Sequence, residues 1–192
     1  MSHTVSQLEA LVVKVDDRLA NLGDTLSLDG HIDQESFSLG DHTFMLPEGI
    51  SYNLVLTNAG EGILVTGIVK AQAEGVCDRC LDPAHLDLSA EVDEYFLFEE
   101  PQAISEEQSD EEEGVDFSLV SDEDTIDVSE ALLSALLMET PYIVLCREDC
   151  KGLCPNCGAN LNEQDCGCVA KKEEQAALEG PFAALGKLDL ND

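Results

Sequence analysis

Six of the chain's eight cysteines fall inside one stretch of 23 residues, Cys146-Arg-Glu-Asp-Cys150-Lys-Gly-Leu-Cys154-Pro-Asn-Cys157-Gly-Ala-Asn-Leu-Asn-Glu-Gln-Asp-Cys166-Gly-Cys168, and the other two stand upstream as Cys77-Asp-Arg-Cys80. Two residues between thiolates let a tight turn aim both sulfurs at one ion, and a following glycine leaves the backbone free to turn its amides toward sulfur. Cys154-Pro-Asn-Cys157-Gly158 therefore has the form of a zinc knuckle, with Cys166-Gly-Cys168 as its partner pair. Four sulfurs suit a closed tetrahedral site with no open coordination position, so the expected role is structural.

Cys77, Cys80, Cys146 and Cys150 then make a second four-sulfur set, joining distant parts of the chain. The expectation is two zinc ions. The rival reading is one site with the remaining thiols free or transiently bound to metal, with His85 as a spare ligand. Iron in a rubredoxin-like site stays open beside zinc. Eight unrelated buried cysteines are disfavoured, because packing does not call for paired spacing beside Gly and Pro.

Nine Lys and Arg stand against 41 Asp and Glu, a net charge of −32. Each four-thiolate zinc site would add about −2 more. Broad contact with a phosphate backbone needs clustered cations, so a basic protein partner is easier to accommodate than bare nucleic acid. An acidic, merely solvating surface explains the charge equally well. The first residues, Met1-Ser-His-Thr-Val, lack the basic start and apolar run of a secretory signal, and no apolar run approaches a membrane span. The cytoplasm is expected, where thiols stay reduced and metal is favoured over disulfides.

Apolar residues between Val5 and Leu22 recur at helix-like spacing, although Val12-Val-Lys-Val also suits a strand. Alternation over Thr25–Ile32, Thr43–Leu46 and Ser51–Thr57, punctuated by Gly40-Asp and Asn58-Ala-Gly, predicts antiparallel strands. Gly62 to Cys77 reads as a long strand bent at Gly67, and Ala84 to Phe98 as its partner, which puts Cys77 and Cys80 at a hairpin tip. From Glu99 to Asp124 there are 12 acidic residues and no basic one, the composition of a self-repelling linker. A rigid mimic of nucleic-acid charge is the less favoured reading.

Asp127-Val-Ser-Glu130 has capping-box spacing, with Asp127 as N-cap, and opens a helix expected to run through Met138 and end near Thr140-Pro141. Its many apolar residues call for burial against the sheet. Lys171 to Leu178 and Phe182 to Leu188 read as short helical pieces. The fold class is α+β: a mainly antiparallel sheet, one buried helix and a C-terminal zinc-knuckle region. Residues 1–98 carry the β-rich part with the first cysteine pair, 99–124 the linker, and 125–192 the helix, the cysteine-rich region and the tail, forming one domain with 1–98.

Cys77-Asp-Arg-Cys80-Leu, the acidic linker, Asp127-Val-Ser-Glu-Ala-Leu-Leu, the cysteine run from Cys146 to Asn162 and the closing Pro181-Phe-Ala-Ala-Leu-Gly-Lys-Leu together resemble the YceD family, the large ribosomal RNA subunit accumulation proteins. The likeness runs from about Leu54 to Leu188. It implies a role in ribosome biogenesis. Some members lack cysteines matching Cys154, Cys157, Cys166 and Cys168 but keep the pair matching Cys77 and Cys80, which supports two separable sites.

Three functions then compete. The first is a non-enzymatic assembly factor that binds a basic ribosomal protein or pre-ribosomal particle. The second is an RNA-contacting zinc module, because Arg79, Arg147, Lys151, Lys171 and Lys172 flank the cysteines; the favoured reading of these cations is that they merely offset thiolate charge. The third, an enzyme, has no catalytic set to support it: the four histidines are scattered, no Gly-rich phosphate loop is present, and closed thiolate sites leave no place for activated water.

Overall fold

The computed structural model describes residues 10–100 and 118–168. The chain forms two compact units. One contains the strands up to Gly75 together with His85–Tyr142, and the other contains Val76–Ala84 with the chain from Ile143 onward.

The first unit is mostly antiparallel sheet. Its strands are β1 (Val12–Lys14), β2 (Thr25–Ile32), β3 (Ser36–Leu39), β4 (His42–Met45), β5 (Ile50–Asn58), β6 (Gly62–Val76, which leaves the unit after Gly75), β7 (Pro83–Leu97, which enters it at His85), β8 (Ser118–Leu119) and β9 (Thr125–Asp127). β5 lies between β2 and β6, in register from Thr25↔Thr57 and Ile50↔Ala71. β4 touches β6 at Met45↔Glu74, so β4 and β5 follow one another along the same edge of β6. β7 pairs with β6, and β8 adds to β7 in parallel through Phe96↔Ser118. β6 runs unbroken through Gly67, where any Cβ would collide with the Asn53 carbonyl of β5.

Alternation along these strands sends one set of side chains inward. Leu54 and Leu56 of β5, Ile63, Val65 and Val69 of β6, and Leu88, Val92 and Phe96 of β7 are buried. Each such side chain contributes about 1.5–3 kcal/mol on leaving water. Phe37 of β3 and Phe44 of β4 face one another across their hairpin with ring centroids 5.0 Å apart. With no tryptophan in the chain, this stacked pair is the bulkiest fully buried contact of the core.

Within the described part of the apolar stripe between Val5 and Leu22, the strand alternative at Val12-Val-Lys-Val is the one that forms. Val12–Lys14 pairs antiparallel with Thr125–Asp127, and a short 3-10 turn follows at Asp17–Leu19; residues 1–9 lie outside the described chain. The β-branched run favours this outcome, with Val13 buried and Val12 exposed. Asp16 then breaks the strand by accepting the Arg18 amide with its own carboxylate. The Arg18 side chain also bonds that carboxylate, and these bonds hold Asp16 down to about 2.

Helix α1 (Ser129–Glu139) is the single α-helix among the described residues and buries Leu132, Leu133 and Leu136. It is not buried all round, since Met138 is 88% exposed. The capping box is absent. Val128 is the N-cap and makes no side-chain bond, while Asp127 ends β9 and its Oδ1 accepts the amides of Ser129 (3.0 Å) and Leu11 (3.1 Å). Asp127 thus pairs with β1 through its backbone while its carboxylate accepts the first amide of the helix from one position before the N-cap. At the other end Thr140 turns extended ahead of Pro141, as expected, and both its amide and its Oγ1 bond the Leu136 carbonyl.

Of the acidic segment 99–124, residues 101–117 lie outside the described chain, as do the tail elements from Lys171 onward; Ser118–Leu119 form β8. No described helix is long and apolar enough to cross a membrane.

Candidate metal centres

The second unit is built around two turns of the same design. In the first, between β6 and β7, the Cys77 amide donates to the Asp82 carbonyl at 2.9 Å and the Leu81 amide returns to the Cys77 carbonyl at 2.9 Å. In the second, the Cys154 amide donates to Ala159 and the Gly158 amide returns to Cys154, both at 2.8 Å. Each turn closes on a residue in the left-handed region, Leu81 with φ 65° and Gly158 with φ 73°. The result is two cysteines, three positions apart, with sulfurs on the same side of a rigid loop.

Each turn meets a second cysteine pair. For the first, Asp78 grips the incoming segment twice: its amide donates to the Val144 carbonyl (2.8 Å) and its Oδ2 accepts the Val144 amide (2.7 Å). That clamp sets Cys146 and Cys150 opposite Cys77 and Cys80. The Sγ–Sγ distances are 3.7 Å for Cys77 and Cys150 and 3.5 Å for Cys80 and Cys146, and all four sulfurs lie within 4.8 Å of one another. For the second, Asp165 accepts the Gly167 amide and bends the chain so that Cys166 and Cys168 both face Cys154 and Cys157, again within 4.8 Å.

A tetrahedron of zinc–sulfur bonds about 2.3 Å long places its sulfurs about 3.8 Å apart, so the first cluster's spacing suits one ion. All eight cysteines are free thiols, with none in a disulfide. The division into Cys77, Cys80, Cys146, Cys150 and Cys154, Cys157, Cys166, Cys168 is the one the spacing predicts, and both clusters could hold metal ions. His85 belongs to neither; its Nδ1 lies 3.5 Å from Glu74.

The thiols do not share one acidity. Burial pushes Cys77 up, but the amides of Cys146, Cys80 and Arg79 together bring it down to about 6. Burial pushes Cys80 well above its ordinary range, whereas the Asn162 side chain lowers Cys150. In the second cluster the Asn156 and Cys157 amides bring Cys154 down to about 7. The Cys168 amide lowers Cys166, yet the Cys154 sulfur and burial lift it to about 12. Within each cluster, neighbouring thiols are thus shifted in opposite directions. Crowded sulfurs resist full ionisation until a cation compensates them.

The first cluster is the more buried. Cys77, Cys80 and Cys150 are nearly inaccessible and Cys146 is half-buried, while in the second cluster Cys154 is buried, Cys166 and Cys168 are half-buried and Cys157 is exposed.

The cations proposed for RNA are largely occupied. The Arg79 guanidinium donates to the Cys150 carbonyl at 2.9 Å, and Arg147 sits 3.3 Å from Asp149. Lys151 lines a depression shared with Glu163 and Asp165. Lys171 and Lys172 lie outside the described residues. Sequence reasoning overlooked Asp78, Asp82, Asn160 and Asn162, the polar side chains that tie the cysteine segments together. Their signal was the turn-forming tendency of Asp and Asn beside cysteine.

A family model described as "Large ribosomal RNA subunit accumulation protein YceD" matches residues 65–189, which span every cysteine. The chain belongs to the YceD family. An uncharacterized protein of Mycobacterium tuberculosis is 37% identical over 112 residues, covering 58% of this chain and 51% of that one. A Mycobacterium leprae protein is 30% identical over 112 residues, 58% of this chain and 49% of its own. The chain thus spans about half the length of these relatives. A chloroplast protein of Arabidopsis thaliana, named large ribosomal RNA subunit accumulation protein YCED homolog 1, is 37% identical over 60 residues, 31% of this chain and 18% of that one. No solved structure matches. The family name supports a role in ribosome biogenesis.

Proposed function

We propose that this YceD-family chain is a non-enzymatic, cytoplasmic ribosome-biogenesis factor that supports accumulation of large-subunit RNA by binding a basic ribosomal protein or a pre-ribosomal particle. The family match over all eight cysteines carries this reading. Two structural zinc ions complete it, one held by Cys77, Cys80, Cys146 and Cys150 and the other by Cys154, Cys157, Cys166 and Cys168. Zinc in such sites supplies a closed crosslink between chain segments and no reactive position.

The choice of a basic protein over bare RNA rests on charge. At −32, most of the surface repels phosphate, and two of the cations beside the clusters, Arg79 and Arg147, are engaged by the Cys150 carbonyl and Asp149. The acidic run from Glu99 to Asp124 carries no cation and would steer a basic partner, an effect that screening weakens beyond about 8 Å at physiological salt.

Affinity purification of the tagged chain from growing cells, with and without nuclease, tests the reading. Recovery of a basic ribosomal protein after nuclease is expected. Loss of every partner on nuclease treatment would transfer the role to direct RNA contact through the zinc module. Exchanging residues 101–117 for a neutral spacer of equal length should slow capture of the basic partner at low salt and leave metal content unchanged. Metal analysis and a visible spectrum of fresh protein check the ions: two colourless zincs are expected, and the charge-transfer colour of iron–thiolate would replace zinc with iron.

A further inference from the structure

Asn162 lies in the loop joining Cys157 to Cys166, so its backbone belongs to the second cluster. Its side chain serves the first. Nδ2 donates to Cys150 Sγ at 3.3 Å, and Oδ1 accepts the Lys151 amide at 2.8 Å. The side chain is thus fixed at both ends against the segment that delivers Cys150.

The rest of the loop is fastened to the same neighbourhood. Asn160 Oδ1 accepts the Asn162 amide at 3.0 Å, while Asn160 Nδ2 reaches Asp82, the residue that closes the first cysteine turn, at 2.8 Å. The Leu161 amide donates to the Gly152 carbonyl, and Leu153 bridges to Asn160. Gly152 and Leu153 in turn press on Arg79 of the first turn, with the Leu153 amide on the Arg79 carbonyl at 2.9 Å. These bonds are all made between residues of one compact unit.

The loop from Gly158 to Asp165 runs between the two cysteine pairs of the second cluster, with its first end bonded to the Cys154 backbone and Asp165 accepting the Gly167 amide just ahead of Cys168. An ion in the second cluster would fix both ends at once, and with them the position of Asn162. An N–H donor on a thiolate sulfur favours the charged, metal-binding form, and groups behind a ligand commonly change metal affinity by about 10–100-fold.

Resting on the metal reading above, we propose that the two clusters bind metal as a coupled pair, with Asn162 as the positioning residue that carries the coupling. Occupancy of the more exposed second cluster raises the affinity of the more buried first cluster, and by linkage the first raises the second by the same factor.

The test is a double-mutant cycle on the full chain, read by zinc competition with a chromophoric chelator. Asn162→Ala should weaken zinc at the first cluster about 10-fold or more when the second cluster is intact. In a Cys166→Ser, Cys168→Ser background the same substitution should change first-cluster affinity less than about twofold, because the loop is already released. Asn162→Asp keeps the acceptor for the Lys151 amide and loses the donor to sulfur, so it guards against misfolding. Cadmium NMR of the loaded protein should show its first-cluster resonance displaced and its second-cluster resonance in place, the two being assigned by Cys146→Ser and Cys168→Ser. Equal weakening by Asn162→Ala in both backgrounds, or no weakening in either, overturns the coupling while two ions still bind. A chain that binds fewer than two ions overturns the metal reading itself.

Discussion

Leu81 holds the left-handed position in the first cysteine turn that Gly158 holds in the second, and each returns its amide to the leading cysteine of its turn. The hydrogen bonds match, but the side chains do not. A leucine there places Cβ against its own carbonyl, at a cost of roughly 1–2 kcal/mol. Leu81 is also 65% exposed, so burial recovers little of that cost.

Leu81→Gly should therefore stabilise the protein by roughly 0.5–1 kcal/mol, the relief of strain being partly offset by the greater freedom of glycine when unfolded. Leu81→Val should destabilise it, because a β-branched side chain fits this backbone worse. Thermal unfolding of the zinc-loaded variants decides; a loss of stability in Leu81→Gly would show that the side chain holds the turn together.

Gly152 and Gly158 should respond unequally to alanine. Both have positive φ, 75° and 73°. A Cβ at Gly158 meets open space, whereas one at Gly152 would sit 2.9 Å from the Arg79 carbonyl oxygen. Gly158→Ala should cost about 1 kcal/mol from backbone strain alone. Gly152→Ala should add about 1–3 kcal/mol from overpacking against the first turn and should weaken zinc there. Equal costs in denaturant titrations would contradict the close approach.

Cys80→Ser should lower stability more than Cys168→Ser. The contact of Cys80 with Cys146 closes 66 residues of chain, and that of Cys157 with Cys168 closes a short local loop. At about 0.6 kcal/mol per doubling of loop length, the difference in closure entropy is about 1.5 kcal/mol. Unfolding midpoints of the two metal-loaded variants measure it, and indistinguishable losses would sink the ranking.

Asp127→Ala should cost about 1–2 kcal/mol, since its carboxylate serves the amides of both Leu11 and Ser129. Glu130→Ala should stay within about 0.5 kcal/mol, its place in the first turn of α1 giving only a dipole interaction. A larger effect at Glu130 than at Asp127 would restore the capping box.

These contrasts show where the sequence was legible. Cys77 and Cys80 could be placed at a hairpin tip because the alternation on either side is long and clean, and the two clusters follow from pair spacing. Local signals misled where a distant strand decided the outcome. Val12–Lys14 carries a stripe compatible with a helix, and only Thr125–Asp127, more than a hundred residues away, makes it a strand. The same pairing ends at Asp127 and leaves Val128 as the N-cap of the helix. Ser118–Leu119 could not be seen as a strand inside an acidic run, because two residues have no period. Asn160 and Asn162 looked like turn residues, and their reach to Asp82 and Cys150 depends on a folded neighbour that no local pattern encodes.

The parallel pairing of Phe96 with Ser118 sets a lower bound on chain length. Two strands running the same way cannot be joined by a tight turn; the connection must travel back along the first before starting the second, and this takes about a dozen residues or more. The stretch between Leu97 and Ser118 therefore cannot be trimmed to a hairpin loop without unzipping Ser118 and Leu119 from the sheet edge. Across the family, this joint should tolerate insertion while resisting deletion below that limit, so its length is the quantity to compare between members.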